Sequence, residues 1–269
     1  MLAPLAAHGV AAEPAVWDDP GVDWAAYDLV VLRSPWDYAP RRAEFVAWAA
    51  ARGNLANPAD VVTWNTDKRY LSELAAAGVP VIPTTVVEPS GGLPAGLAGD
   101  VVVKPAIGAG SVDAGRYRLP AEADAFEAHL KRLTDAGRTA LVQPYLAAID
   151  AVGETALVYL NAGDGLRFSH AARKGAMLTG PDEGVTGLYK EERIDPAEAS
   201  AAQLAVAERA LDTVPGGRDR LLYARVDLVP DDTGAPTLIE LELTEPSLFF
   251  GTSGGAADRF AAAVVRATG

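Results

Sequence analysis

Only five of the 23 basic side chains in this 269-residue chain are lysines, so positions that keep lysine where arginine usually stands invite a chemical reading. Lys104 follows Val101, Val102 and Val103, whose β-branched stiffness predicts an enclosed strand. Pro105 cannot extend a ladder, and in the loop Gly108, Ala109, Gly110, Ser111 the glycines let backbone amides turn toward an anion. The loop lacks the Lys-Ser or Lys-Thr of a Walker loop and the third glycine and helix start of a dinucleotide fingerprint. A plain hairpin turn is the competing reading. Lys68 lies in Asn65-Thr66-Asp67-Lys68-Arg69-Tyr70-Leu71, which predicts a capped helix over 66–77. The lysine falls in its first turn, where the helix dipole disfavours a cation. Compact ammonium groups suit phosphate oxygens that a planar guanidinium would not fit.

A second kind of chemistry is written in the acids. Residues 236–247 read as a strand with Leu238, Glu240 and Glu242 on one face and Ile239, Leu241 and Leu243 on the other. Residues 221–229 form another strand carrying Arg225 and Asp227, joined to the first by the turn Asp231-Asp232-Thr233-Gly234. A hairpin centred between Thr233 and Gly234 places Asp227 opposite Glu240. Three carboxylates on one patch repel one another. A divalent cation that favours oxygen, magnesium or alternatively manganese, held jointly with a nucleotide phosphate, is their natural partner. A solvated sheet face is the alternative.

Two lysines, a glycine loop between strands and a carboxylate patch near the C-terminus, in that order, resemble the ATP-grasp superfamily over about residues 60–269. More narrowly, the chain is similar to the branch of glutathione synthetase and the ribosomal-protein glutamate ligase, and to the cyclo-ligase of D-cycloserine biosynthesis. That closer similarity rests on Val31-Leu32-Arg33-Ser34-Pro35-Trp36-Asp37-Tyr38, Asn65-Thr66-Asp67-Lys68, Gln143-Pro144-Tyr145-Leu146 and Ser169-His170-Ala171-Ala172-Arg173-Lys174-Gly175. It implies an α/β ATP-grasp fold in three lobes. These are a small, N-terminally short parallel-sheet lobe over 1–60, an ATP-grasp N-terminal lobe over 61–146, and a C-terminal lobe with the metal site over 147–269.

The implied activity is an ATP-dependent carboxylate–amine ligase. It acts through an acyl phosphate on a small amino-acid-like or peptide-like substrate and releases ADP and phosphate. By this resemblance Lys68, Lys104, Gly108, Gly110 and Ser111 hold phosphates. Gln143 with Tyr145 and Leu146 forms the adenine hinge, and Asp150 or Glu154 reaches the ribose. Asp227, Glu240 and Glu242 hold the metal, and Arg173 or Lys174 together with Arg225 offsets charge on the transferring oxygens. Ser247 and the run 251–255 cradle the amino-acid end. A carboxylate kinase that stops at phosphate transfer and a non-catalytic ATP-binding module are the alternatives; retention of every lysine and acid speaks against the module.

The elements that must position these groups follow in order. A helix over 1–9 and a strand over 12–17 precede a strand over 29–32, which delivers Arg33. Arg33, Trp36, Asp37 and Tyr38 then lie where a parallel strand ends, the place where open sheets bind ligands. There Arg33 can grip a substrate carboxylate through its paired fork, beside Asp37 and Tyr38. Alternatively, Trp36 and Tyr38 close the lobe. A helix over 41–51, strands over 84–88, 101–104 and 140–143, a helix over 121–134, and a hairpin over 154–161 and 166–172 come next. Residues 175–193 read as a mobile lid, and helices over 196–213 and 256–267 complete the pattern. His8 and His129 read as surface and His170 as structural. The N-terminal lobe is expected to lack its first strand, leaving a gap lined by Val16, Val30 and Leu32. A longer N-terminus or a second copy, as in a homodimer, would fill it.

A formal charge of −13 excludes nucleic acid as a partner, and no apolar run approaches a membrane span. The absence of cysteine excludes thiolate chemistry. The composition is that of a cytoplasmic enzyme.

Overall fold

In the N-terminal region aromatic side chains do the work that a large sheet does elsewhere. The computed structural model describes residues 1–182 and 192–269. It begins with α1 (Leu2–Ala7), β1 (Val30–Val31), α2 (Arg42–Ala50) and β2 (Leu55–Ala56). The two strands pair in parallel, Val30 opposite Leu55. Residues 12–17 form no strand, contrary to the sequence expectation. Val16 is 62% exposed, while Trp17 is buried, stands edge-on to Phe45 at 5.3 Å and donates its indole N–H to Asp37. Val30 and Leu32 pack into this aromatic cluster together with Tyr38 and Phe45, so two of the three residues expected to line a gap are buried against aromatic rings, and Val16 is the exposed one.

Two short helices follow, α3 (Ala59–Asn65) and α4 (Tyr70–Ala76). The next block contains β3 (Thr85–Val87), β4 (Gly99–Pro105), β5 (Gly115–Leu119), α5 (Ala123–Asp135) and β6 (Ala140–Pro144). Its four strands form an antiparallel sheet in the order β3-β6-β4-β5. Phe126, His129, Leu130 and Leu133 recur at helical spacing along α5 and lie over Val101, Val103, Tyr117 and Val142. His129 is therefore core, not surface. Its Nδ1 shares a hydrogen bond with the Tyr117 hydroxyl at 2.7 Å, and that partner makes an imidazole acceptable on the buried stripe.

After α6 (Ala148–Val152) come β7 (Glu154–Asn161), β8 (Leu166–Lys174), β9 (Ile194–Ala197), α7 (Ala201–Asp212), β10 (Tyr223–Pro230), β11 (Pro236–Glu242) and α8 (Ala256–Thr268). The sheet order is β11-β10-β7-β8-β9. The helix expected from 196 starts only at Ala201, after a Ser200–Gln203 capping box. Residues 194–197 instead extend the sheet, Asp195 opposite Arg173. Side-chain alternation sorts the two faces. Leu157, Tyr159 and Val226 meet α3, α4 and α7, whereas Val158, Leu160 and Tyr223 meet α1 and α8. Arg225 and Asp227 continue the second face beyond the helices, where it turns toward the four-stranded sheet. Among the described residues no helix is long and apolar enough to cross a membrane.

Burial lowers the His129 pKa below its ordinary value. The unfolded chain therefore takes up a proton first as pH falls through about 6.5, and the folded state loses stability below that pH. Urea melts of wild type and His129→Gln should show the wild-type stability falling relative to the variant between pH 7.5 and 5.5. A constant difference would show that the ring titrates normally.

Candidate active site

Lys68 is not in a helix. It sits in the turn between α3 and α4, because the Asp67 carboxylate accepts the Arg69 backbone N–H at 3.1 Å and engages its guanidinium, which holds the chain out of helical continuation. The Lys68 N–H donates to the Ala106 carbonyl at 2.8 Å, tying this turn to the end of β4. Its ammonium donates to the Gly108 carbonyl and lies 3.2 Å from Glu240. Lys68 thus connects the glycine loop to the acidic strand.

The acids stand on β11, an edge strand, and an open edge has unpaired backbone groups. Side chains satisfy them here. The Asn65 amide donates to the Leu241 carbonyl at 2.7 Å and accepts the Leu243 N–H at 2.7 Å, and the Tyr70 hydroxyl accepts the Leu241 N–H at 2.9 Å. Ile82 donates its N–H to Leu238. At the far end, buried Asn57 bridges β10 and the exit of β11, donating to the carbonyls of Tyr223 and Leu243 and accepting the Leu222 N–H. The strand is held on both sides by side chains that lie far away in sequence.

Across the hairpin Asp227 is opposite Glu240 and Arg225 opposite Glu242, as expected from the sequence. The turn itself differs. Beyond Asp227 the register moves by one, Leu228 opposite Leu238. This bulge at Ile239 sends Leu238 into the core with Leu241 and Leu243, while Ile239 lines the cavity with the acids. Strict alternation had exchanged the faces of Leu238 and Ile239.

A cavity of about 430 Å³ lies between the two larger sheets. Lys68, Lys104, Gly108, Gly110, Ser111, Gln143, Tyr145, Leu146, Glu154, Lys174, Arg225, Glu240, Glu242, Tyr38 and Ser247 all line it. Asp227 is fully buried behind them. One acceptor oxygen from each of Asp227, Glu240 and Glu242 lies within 4.8 Å of the others, a spacing and all-oxygen donor set that fit a magnesium-sized cation. Arg225 holds Asp227 through two bonds of 2.9 and 3.0 Å and also contacts Glu242. Lys174 donates to Glu154 at 2.8 Å and Asp227 at 2.9 Å, with Glu192 at 3.4 Å.

Other expected site residues lie outside the lining. Arg173 donates to the Val152 carbonyl. Asp150 accepts from the Tyr145 hydroxyl and from Arg116, whose guanidinium covers the Tyr145 ring at 3.6 Å. Arg33 donates to the Pro246 carbonyl at 3.0 Å and lies over Phe250 and Phe260. Asp37 accepts from Trp17. The run 251–255 forms the turns that lead into α8. The central part of the expected lid, 183–191, lies outside the described residues. Residues before it dock on the four-stranded sheet, Gly180 accepting the Arg116 N–H and Asp182 pairing with Arg132. Trp36, placed with Tyr38 at the strand end by the sequence, lines the cavity, and sequence reasoning missed Glu245, Glu192 and Phe249, which also line it.

Charge is unevenly balanced in this space. Burial works against ionising Glu240, but Lys68, Lys104, Lys174 and Arg225 outweigh it and bring its pKa down to about 2. Glu242 goes the other way, to about 8, because burial and the nearby Glu240 and Asp227 exceed the help from Arg225. Burial lowers Lys104, which has no ion pair among the described residues. An underneutralised ammonium beside a glycine loop is suited to receive anionic oxygen.

Residues 1–57 match the family described as D-cycloserine synthetase DcsG, N-terminal domain. The cycloserine biosynthesis protein DcsG of Streptomyces lavendulae is 41% identical over 271 residues, which span 95% of this chain and 88% of that protein. The chain belongs to the DcsG family. Membership makes it an ATP-grasp carbon–nitrogen ligase that binds ATP and forms an amide bond, which sets aside the kinase and the non-catalytic module. The crystal structure of D-cycloserine synthetase DcsG has a TM-score of 0.86 to this DcsG-family chain at 36% identity, covering 100% of this chain and 93% of that one. The VanG D-Ala:D-Ser ligase from Enterococcus faecalis shares the fold, with a TM-score of 0.63 at 16% identity over 89% of this chain and 71% of that one. The α/β ATP-grasp architecture expected from the sequence is the one observed.

The ion pairs make the two acids of β11 unequal in what their neutralisation costs the apo fold. Glu240→Gln removes the ionised partner of buried Lys68 and should cost about 2–3 kcal/mol at pH 7. Glu242→Gln replaces a carboxyl that is mostly protonated there and should cost less than about 1 kcal/mol. Urea denaturation in the presence of a chelator reads both, and equal losses would contradict this charge assignment.

Proposed function

We propose that ATP lies across the cavity with its adenine at Gln143, Tyr145 and Leu146. Its ribose is near Glu154, and its phosphates lie between the Gly108–Ser111 loop and the lysines. Asp227, Glu240 and Glu242 would hold magnesium, or manganese in its place, which would offset charge on the phosphoryl oxygens. The substrate carboxylate attacks the γ-phosphorus and ADP departs. The resulting acyl phosphate is then captured by an amine nitrogen, with loss of phosphate. Lys68, Lys104, Lys174 and Arg225 align the reactants and spread the developing charge, so no side-chain nucleophile is required. Lys174 takes the role left open between it and Arg173, since it alone of the two faces the cavity.

The substrate on this reading is a small amino-acid derivative that carries both the carboxylate and the amine, as the likeness to a cycloserine synthetase suggests, and the product is a cyclic amide. The observation that carries the reading is the shared cavity. Phosphate lysines, an acid triad and the polar wall of Tyr38 and Ser247 surround a space of about 430 Å³, the range of a site for small molecules. All of these residues come from one chain, so a homodimer is not needed to complete the site. The demand for ATP places the enzyme in the cytoplasm.

Release of ADP should be measured against amino acids, dipeptides and O-substituted serine derivatives of both hands, each with and without a second amine. Turnover without the second amine is expected for one serine derivative, and strict dependence on it would refute cyclisation. Chelation of divalent cations should abolish turnover, with magnesium or manganese restoring it. Lys104→Ala should weaken ATP binding about 10- to 100-fold by calorimetry, whereas Arg33→Ala leaves it unchanged. Equal losses would undo the division between nucleotide and scaffold residues.

A further inference from the structure

One carboxylate in the cavity belongs neither to the acid triad nor to the cation network around Lys174. Glu245 lies just beyond β11, in the segment that links it toward α8, and lines the cavity beside Ser247 and Phe249. The N-terminal lobe grips this segment. The Trp36 indole donates to the Glu245 carbonyl at 3.3 Å, Arg33 donates to the next carbonyl, that of Pro246, at 3.0 Å, and Tyr38 lines the same cavity. A carboxyl on a segment held this firmly, and open to the substrate end of the cavity, is set up to act on something that arrives there.

We propose that Glu245 receives the amine of the substrate and takes the proton that the nitrogen loses as it attacks the acyl phosphate. The proposal rests on the ligase reading above. The nitrogen lone pair forms the bond to the carbonyl carbon, and the bond from that carbon to the phosphate oxygen breaks. Phosphate leaves with the electron pair, and the excess N–H proton passes to the Glu245 carboxylate. Amide, inorganic phosphate and a protonated Glu245 result, and the proton is then returned to solvent. No further reactant is needed.

The groups facing Glu245 come from several elements: Lys68 from the α3–α4 turn, Tyr38 from the N-terminal lobe, Glu240 on β11, Arg225 and Tyr223 on β10. Burial raises its pKa to about 7, with Lys68 and the Tyr38 hydroxyl limiting the rise. That lies near neutral pH, where a side chain exchanges protons most effectively. Asn65, Tyr70 and Asn57 fix β11 upstream of it, so the proton acceptor and the acid triad share one rigid strand and its exit.

Hydroxylamine separates activation from capture, because it traps acyl phosphates as hydroxamates without help from a base. With the substrate that supports ADP release in wild type, Glu245→Gln should still form hydroxamate and ADP when hydroxylamine is added. Formation of the natural amide should fall about 100-fold or more. Parallel loss of hydroxamate and amide, or loss of neither, would overturn the assignment. Absence of hydroxamate with wild type would instead refute the acyl-phosphate reading on which it stands. Tyr38→Phe keeps the ring packing and removes the hydroxyl that favours the charged carboxylate, so the acidic limb of the rate of amide formation should move to higher pH. A limb that stays in place would show that Glu245 does not titrate in the reaction.

Discussion

Charge cannot be taken out of water unless it is met by opposite charge, and the interior of this molecule is arranged around that constraint. Among the described residues four cations, Lys68, Lys104, Lys174 and Arg225, share one space with six carboxylates, Glu154, Glu192, Asp227, Glu240, Glu242 and Glu245. The cations can satisfy four acids, and the imbalance falls where the neighbours are themselves negative. Asp227 and Glu240 stay ionised because lysine and arginine reach them. Glu242 and Glu245 are pushed up to about 8 and about 7. Both therefore hold protons near neutral pH, and a divalent cation beside the triad would favour their ionised forms. The acid triad has an electrostatic reason to accept a metal as well as the right donor atoms.

That balance requires the acids to be held still, and the means are indirect. β11 is an edge strand, and its outer hydrogen-bonding groups are taken up by Asn65 and Tyr70 and by the backbone around Val81, while Asn57 closes its far end. The three side chains come from the segment that surrounds Lys68. The same stretch of chain therefore supplies Lys68 and the clamp on the strand that bears the acids. Displacing it would disturb Lys68, Glu240 and Glu242 together, which couples the glycine loop to the acid triad through packing and hydrogen bonds.

Much of the site was legible because it depends on local rules. The valine run ahead of Lys104 and the opposition of Asp227 and Glu240 follow from strand periodicity and turn chemistry. The pairing was found although the turn lies half a residue from its expected centre, because the bulge at Ile239 shifts the register back before the acids. The same bulge hid the true faces of Leu238 and Ile239. What could not be read depends on tertiary contact. Nothing local tells that the Lys68 N–H will find the Ala106 carbonyl, that His129 will find Tyr117, or that residues 194–197 will pair with β8. Glu245 escaped notice because it lies past the end of the strand and out of phase with Glu240 and Glu242. Its role as a cavity residue comes from Trp36 and Tyr38, more than 200 positions away.

The segment Arg33 to Tyr38 shows how the N-terminal lobe takes part in a site built mostly elsewhere. Its side chains alternate in use. Arg33 and Asp37 are committed to the scaffold, one to the Pro246 carbonyl and two phenylalanine faces, the other to an indole. Trp36 and Tyr38 face the cavity. The lobe thus acts on the cavity chiefly by fixing the backbone at Glu245 and Pro246, and less by direct charge. A small lobe with a two-stranded sheet can do this because its aromatic cluster, Trp17, Tyr38 and Phe45, is continuous with the cavity wall through Tyr38. Rigidity passes from an apolar core to the cavity wall through one phenol ring, and the position of Glu245 follows from packing and backbone hydrogen bonds more than from long-range attraction.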